Sequence, residues 1–337
     1  MTAPAWSVAA PRLAEIAYWL RVRGEQYRAR AFTSAALVLA HDRPDLAALH
    51  EHGRLATLPS VGTGIARVIA DLLENGHSAY LDRLRAEAGW EAPAGGGALQ
   101  LDGYQGDLHS HTTWSDGKAP LDAMVEGARN LGYAYLAITD HSPRITVTHG
   151  LDGARLRAQR AEIDELARRS DGLTILQGVE VDILEDGTLD LPDETLAALD
   201  VVIASPHVRL RMDRSAMTER MLRALENPHV DVIGHPTGRR PGARAGADYD
   251  QETVFRRAAD LGVALELDTD PARMDLGPEQ ARMAADLGCT FCIDSDAHAP
   301  GEFAYVEIGL WCPELAGLGP GRFLNWLGLE ALRGALR

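Results

Sequence analysis

The stretch Asp107–Gly117, DLHSHTTWSDG, ends a short apolar alternation and gathers His109, His111 and Asp116 where a strand would run out into a loop. In an extended chain residues i and i+2 share a face, so His109 and His111 project together and can grip one divalent ion. Two imidazoles with a carboxylate close behind suit Zn, Mn or Fe. An isolated H-x-H is otherwise a pair of loop histidines, so the question is whether ligand-type residues recur in matching positions.

They recur. Further runs rich in Val, Ile, Leu and Ala end in His or carboxylate: YLAITDH with Asp140 and His141, LTILQGVEVD with Glu180 and Asp182, VVIASPH with His207, DVIGHP with His235, and FCIDSDAH with Asp294, Asp296 and His298. Helix-period segments lie between them: Ala119–Leu131, Asp152–Arg169, Asp193–Leu199, Arg214–Glu226, Asp250–Leu261 and Gly277–Leu287. Strict alternation of strand and helix, with strands apolar on both faces, indicates a buried parallel sheet. In a closed barrel the C-terminal strand ends form one rim, where chemistry sits, and every candidate ligand falls there. With ALELD (Ala264–Asp268) included, the count predicts an irregular seven-strand (β/α)7 barrel, one strand short of the usual α/β barrel.

The 337 residues carry a net charge of −16, which argues against a broadly nucleic-acid-binding surface. The deficit is uneven: residues 1–95 balance ten Arg against ten acidic residues, and the remainder holds 23 basic against 39 acidic residues. Cys289, Cys292 and Cys312 make no disulfide framework, and the C-x-x-C pair lies in an expected strand, so buried apolar cysteine is the reading. No leader or apolar membrane span is evident, and the protein reads as cytoplasmic, without a membrane partner.

Residues 1–90 lack strand-like runs and read as a small all-α domain: Arg12–Arg23, Gln26–Ala40, Leu46–His52, Val61–Leu73 and Ala79–Glu87. In LATLPSVGTGIARVIADLLENG a Pro59 turn and the Gly62 and Gly64 pair precede an amphipathic helix carrying Arg67. Backbone N–H groups at such a start can approach a phosphate, and the pattern resembles a helix-hairpin-helix, which holds nucleic-acid backbone without reading sequence. Residues 91–105, with PAGGGA, read as a flexible linker, and residues 106–337 as the barrel domain. The tail from Pro300 to Arg337 reads as a strand and a closing helix.

Taken in order, DLHSHTTWSDG, AITDHS, GVEVDIL with GTLDLPD, ASPHV, ENPHVDVIGHPTGR and DSDAH resemble the PHP (polymerase and histidinol phosphatase) superfamily. The likeness is strongest to the PHP module of bacterial family X DNA polymerases. RGEQYRARAF and LPSVGTGIARVIADLLENG are similar to the helical domain that opens those polymerases. The resemblance implies three metal sites: His109, His111, Glu180 and Asp296; Glu180 as a bridge with His207 and His235; and Asp116, His141 and His298. It implies up to about three divalent ions per chain, Mn, Zn or Fe. Where relatives commonly read E-I-N in the sixth strand, this chain has Glu266, Leu267 and Asp268. No polymerase palm lies between the two halves, and no lysine precedes Lys118 to serve as a Schiff-base lyase nucleophile.

Clustered cations suit phosphoester hydrolysis, water activated between them attacking phosphorus in line. Glu180 and His109 would stand at its centre, with Arg239 to hold a phosphate oxygen and Arg240 and Arg273 as further candidates. Asp140, Asp182 and Asp294 are expected to orient histidines from behind. The leading expectation is a metal-dependent phosphoesterase acting on DNA as a 3′ to 5′ exonuclease or 3′-end processor in repair, its helical domain gripping backbone through Pro59, Gly62, Gly64 and Arg67. The alternatives are a small-molecule phosphatase of the histidinol-phosphatase type and a non-catalytic DNA-binding accessory.

Overall fold

Before the first strand the chain is helical: α1 (Ala5–Val22), α2 (Gln26–Asp42), α3 (Leu46–Glu51), α4 (Thr63–Asn75) and α5 (Ala79–Glu87). The computed structural model describes residues 3–90, 99–169 and 172–337. Helix α1 begins well before the expected Arg12 because Ala9, Ala10 and Leu13 bury one continuous stripe against the C-terminal part of the chain. Asp45 caps α3 by accepting from Ala48 N, and Gly76, at φ 72°, ends α4 in the left-handed conformation that glycine adopts without strain.

The alternation that follows is β1 (Gly106–Asp107), α6 (Leu121–Asn130), β2 (Tyr135–Ile138), α7 (Gly153–Ala167), β3 (Thr174–Asp182), α8 (Asp193–Leu196), β4 (Val201–Ser205), α9 (Arg214–Leu225), β5 (Val232–Ile233), α10 (Gln251–Leu261), β6 (Ala264–Asp268), α11 (Pro278–Asp286) and β7 (Phe291–Asp294). The seven strands pair in sequence order, all parallel. The first and last strands are stitched largely by side chains, which leaves the barrel nearly closed. Asp294 Oδ1 accepts from Leu108 N (2.7 Å), Asp107 Oδ2 from Ser295 N (3.2 Å), and Asn325 bridges Gly106 O (2.9 Å) and Ile293 N (2.8 Å).

Period-two alternation sorts the strands into two cores. Leu108, Tyr135, Ala137, Leu176, Val201, Ile203, Val232, Ala264 and Cys292 fill the barrel, while the opposite faces pack under the helices. Cys289 and Cys292 fall into different cores, as opposed side chains should, and all the cysteines are free and buried.

The tail departs from expectation, for among the described residues it holds no strand. It forms α12 (Ala304–Gly309), α13 (Trp311–Ala316), short 3-10 turns and α14 (Leu329–Ala335). Pro300, Pro313 and Pro320 with Gly317, Gly319 and Gly321 break the run too often for a ladder, and only a single bridge, Phe291 to Phe323, survives. Leu324 and Leu332 instead join the barrel interior.

The N-terminal helices pack on this tail: α1 against α12 and α13, α2 against α12. Glu15 is fully buried and accepts from Arg85 Nε (2.6 Å), Arg85 Nη2 (2.7 Å) and Trp19 Nε1 (3.1 Å), while Arg12 reaches Glu314 (2.5 Å). Of the expected linker, residues 91–98 lie outside the described residues. The rest is not a loose tether, since Leu99 and Tyr104 are buried and Tyr104 Oη donates to Ile293 O (3.2 Å). Among the described residues no helix is long and apolar enough to cross a membrane.

Glu307 of α12 sits at this contact, 4.0 Å from Arg43. Burial outweighs Arg43 and raises its carboxyl from 4.5 to about 7. The folded state therefore holds the proton more tightly, so this contribution to stability is full below pH 4.5 and is lost as pH rises through about 7. Glu307→Gln should remove that decline and stabilise the protein at pH 8 by about 1–3 kcal/mol, a pH unit being worth ~1.4 kcal/mol. Urea unfolding at pH 5 and pH 8 checks it, and an unchanged difference between the two would refute it.

Candidate functional site

The C-terminal strand ends converge on Glu180, near the end of β3. His109 and His111 follow β1, both fully buried, and their Nε2 atoms face each other at 3.1 Å. His111 Nε2 is 3.0 Å from Asp296 Oδ1, and His109 Nε2 is 3.5 Å from Glu180 Oε2. His235 Nε2 (2.7 Å) and His207 Nε2 (2.9 Å) approach Glu180 Oε1, while His141 Nδ1 (2.9 Å) approaches Oε2. Asp116 Oδ1 lies 3.5 Å from both His141 Nε2 and His298 Nε2. Asp296 and His235 reach the cluster at positive φ (51° and 27°), a strained backbone of the kind held at functional sites.

Burial would raise the Glu180 carboxyl, but His207, His141, His109 and His235 outweigh it and hold it well below the usual range. Burial together with His298 and His141 lowers His111 to about 3, and burial with Arg273 lowers His235 to about 3. Both rings are therefore neutral and carry a lone pair. Nδ1 of His111, His141 and His235 and Nε2 of His207 are buried without a hydrogen-bond partner, although two of them lie 2.9 Å from a Glu180 oxygen. Burial would lower His141, but Glu180 and Asp116 raise it to about 10, so carboxylates and imidazoles are crowded here as a mutual charge pair. Nitrogen and carboxylate donors gathered this closely in a buried pocket are a set that a divalent cation fits.

The close ligand sets are His111, Asp116, His141 and His298; His109, His111 and Asp296; and His141, Glu180 and His207. Every expected ligand is present, with the grouping shifted: His111 also serves the Asp116 set, His141 also serves Glu180, and His235 joins through Glu180 alone.

Behind the cluster, Asp182 Oδ1 accepts from His207 Nδ1 (3.1 Å) as expected. Asp140 and Asp294 do not orient histidines. Asp140 accepts from Thr112, Ser115 and Gln159, shaping the loop after β1, and Asp294 closes the barrel seam. The partner of His109 is Glu266, whose Oε1 accepts from Nδ1 (2.6 Å) and whose Oε2 accepts from His235 N (2.6 Å). Parity along β6 could have found it, because Glu266 shares the inward face with Ala264. Glu266→Gln should weaken metal affinity about 10–100-fold by loosening His109. Competition against a chromophoric chelator measures this, and wild-type affinity in the variant would remove the positioning role.

Arg239 does not reach the cluster. Its guanidinium lies over the Tyr18 ring of α1 (5.4 Å) and its Nε donates to Met274 O (2.9 Å). The loop it clamps delivers Arg273 instead, whose Nε is 3.2 Å from Asp296 Oδ2 and 3.4 Å from Asp268 Oδ2. Pro59 and Gly62 on the turn before α4, and Gly64 and Arg67 in its first turns, sit exposed and belong to none of the clustered His and carboxylate sets. Arg67 lines a surface cavity of about 290 Å³ with His50 and Thr63.

Residues 107–261 match the PHP domain model. The chain is 45% identical over 200 residues to a DNA polymerase/3'-5' exonuclease PolX of Bacillus subtilis (strain 168), a match covering 59% of this chain and 35% of that protein. It thus spans about a third of that relative's length. It is also 31% identical over 232 residues to a probable phosphatase of Thermoanaerobacter sp. (strain X514), covering 65% of this chain and 89% of the relative. A solved histidinol phosphate phosphatase from Lactococcus lactis, complexed with zinc, L-histidinol and phosphate, aligns with TM-score 0.47 and 18% identity over 64% of this chain and 94% of that one. With the PHP signature in register on the barrel rim and a relative matched along nearly its whole length, the chain belongs to the PHP domain family.

Proposed function

We propose that this chain is a metal-dependent phosphoesterase that processes DNA 3′ ends. The observation that carries the hydrolase reading is the convergence of unpartnered imidazole nitrogens and the Glu180 and Asp296 carboxylates at the barrel mouth. His109, His111, Glu180 and Asp296, then Glu180 with His207 and His235, then Asp116, His141 and His298 would hold the ions. Divalent ions held there would supply Lewis acidity toward a phosphoryl oxygen and toward water at neutral pH.

The chain's own groups do the rest. Glu180 joins the ligand sets through its two oxygens, Glu266 sets the His109 ring, and Asp182 sets the His207 ring. Arg273 is a largely buried cation at the edge of the cluster, its Nε paired with Asp296 and Asp268. It would hold a non-bridging phosphate oxygen, the role expected of Arg239.

The DNA assignment draws on the similarity to the polymerase/exonuclease and on the exposed Pro59–Arg67 turn. A second reading, a phosphatase for small phosphomonoesters, draws on the similarity to the probable phosphatases. Mn-loaded protein and its His109→Ala variant should be offered a 5′-labelled single strand and a small phosphomonoester. Shortening of the strand by wild type alone supports the DNA reading. Release of phosphate from the small ester with an intact strand would hand the assignment to the second reading, and equal rates for both proteins would overturn the metal centre.

A further inference from the structure

We propose that a single nucleic-acid strand leaves the metal centre over an arginine track shared by the barrel and the N-terminal helices: Arg244 and Arg240 after β5, then Arg30 on α2, with Tyr27 as a stacking platform. The inference rests on the DNA-directed reading above and adds the path.

The first observation is a like-charged pair with no neutraliser. Arg240 and Arg244 face each other across a tight hairpin, Arg240 N donating to Arg244 O (2.9 Å) and Arg244 N to Arg240 O (2.8 Å). Residues directly opposite in an antiparallel bridge project to the same face, where like charges are unfavourable. Both are exposed, and among the described residues neither has a carboxylate within ion-pair distance, in a chain whose 49 acidic residues outnumber its 33 basic ones. Arg244 donates to Gly238 O (2.9 Å and 2.6 Å), which fixes its direction. Burial and then the charges of Arg240 and Arg273 depress its guanidinium, with Asp275 opposing. Asp270 feels both Arg240 and Arg273 but is half-buried, and desolvation makes it protonate more readily than usual.

The second observation is where the hairpin ends. Its tip, Gly242 (φ 70°), is pressed into the turn between α1 and α2. A Cβ there would lie 2.0 Å from Arg21 O and 2.5 Å from Gln26 Nε2, and Gln26 Nε2 donates to Pro241 O (3.4 Å). The hairpin is thereby locked to the first turn of α2. Tyr27, 83% exposed, is the next residue, and Arg30 follows three residues on, on the same helix face, without an ion pair. Cations spaced along a path with an exposed ring beside them hold phosphates and stack a base, the pairing used by single-strand binders.

The test is fluorescence anisotropy of the full chain with a labelled oligothymidylate, without added divalent ions so that the probe stays intact. Arg240→Glu with Arg244→Glu should raise Kd at least tenfold at low salt and flatten the log Kd against log salt slope by about 1.4, near 0.7 for each lost phosphate contact. Tyr27→Ala should raise Kd about tenfold with no change of slope. The same charge change at Arg168 and Arg169, on the outside of the barrel, should leave Kd within twofold. An unchanged Kd in the hairpin variant, or an equal loss in the remote control, overturns the track. If wild type cleaves DNA and the hairpin variant binds it normally, only the track falls. If wild type binds no oligothymidylate yet hydrolyses a small phosphoester, the track and the DNA reading fall together and the hydrolase stands.

Discussion

Glu180→Gln is expected to strip the centre of bound divalent ion and to lower phosphoesterase kcat/KM by at least about 10³, roughly 4 kcal/mol at tenfold per 1.36 kcal/mol. Its two oxygens lie within 2.9 Å of His141, His207 and His235, so three rings approach this one anion at short range. The amide nearly preserves shape while removing the charge, and leaves those rings around a neutral group. Elemental analysis of dialysed protein should show metal falling with activity, whereas circular dichroism should be unchanged because the backbone pairing of Glu180 with Ile203 is untouched. Full metal content with lost activity would make Glu180 a participant in chemistry rather than a ligand. Retained activity would end the proposal for this centre.

Arg273→Met should have the second largest effect, about a hundredfold loss in kcat/KM, as expected when a fixed cation beside the reacting phosphate is removed. It should also destabilise the fold. Asp268 and Asp296 would lose their shared buried partner, and breaking one side of a buried ion pair costs about 3–5 kcal/mol. Pairing it with Asp268→Asn should restore much of the stability and none of the rate, because the amide no longer needs a countercharge. Denaturant unfolding and steady-state kinetics on the two variants separate these effects. If activity returned along with stability, Arg273 would be a scaffold for Asp268 and not a phosphate-binding group.

The fate of the arginines shows where reading along the chain succeeds and where it stops. HPTGRR places Arg239 directly behind His235, which made it the natural candidate for a phosphate contact. The ring of Tyr18, on a helix remote in sequence, draws it the other way, and Arg273 enters from the neighbouring loop. Nothing local in PARMD distinguishes an inward from an outward guanidinium. Glu266 was a different case, visible in the parity of ALELD but given no role, because its partner His109 arrives from the opposite end of the barrel sequence. The tail was misread because its apolar residues suggested a strand, whereas its prolines and glycines deny it a ladder and Leu324 and Leu332 turn into the barrel.

Sequence alone determined the strand and helix order, the parallel sheet and which His and carboxylate residues gather at the rim. Strand alternation and helix period are local and repeat within a few residues, and ligand types at strand ends land on one rim whatever the loops do. Only the tertiary structure decided which carboxylate backs which histidine, which arginine faces the centre, and that the N-terminal helices clamp the rim loops. Those choices depend on contacts between segments far apart in the chain, where burial and charge from one element set the direction of a side chain on another.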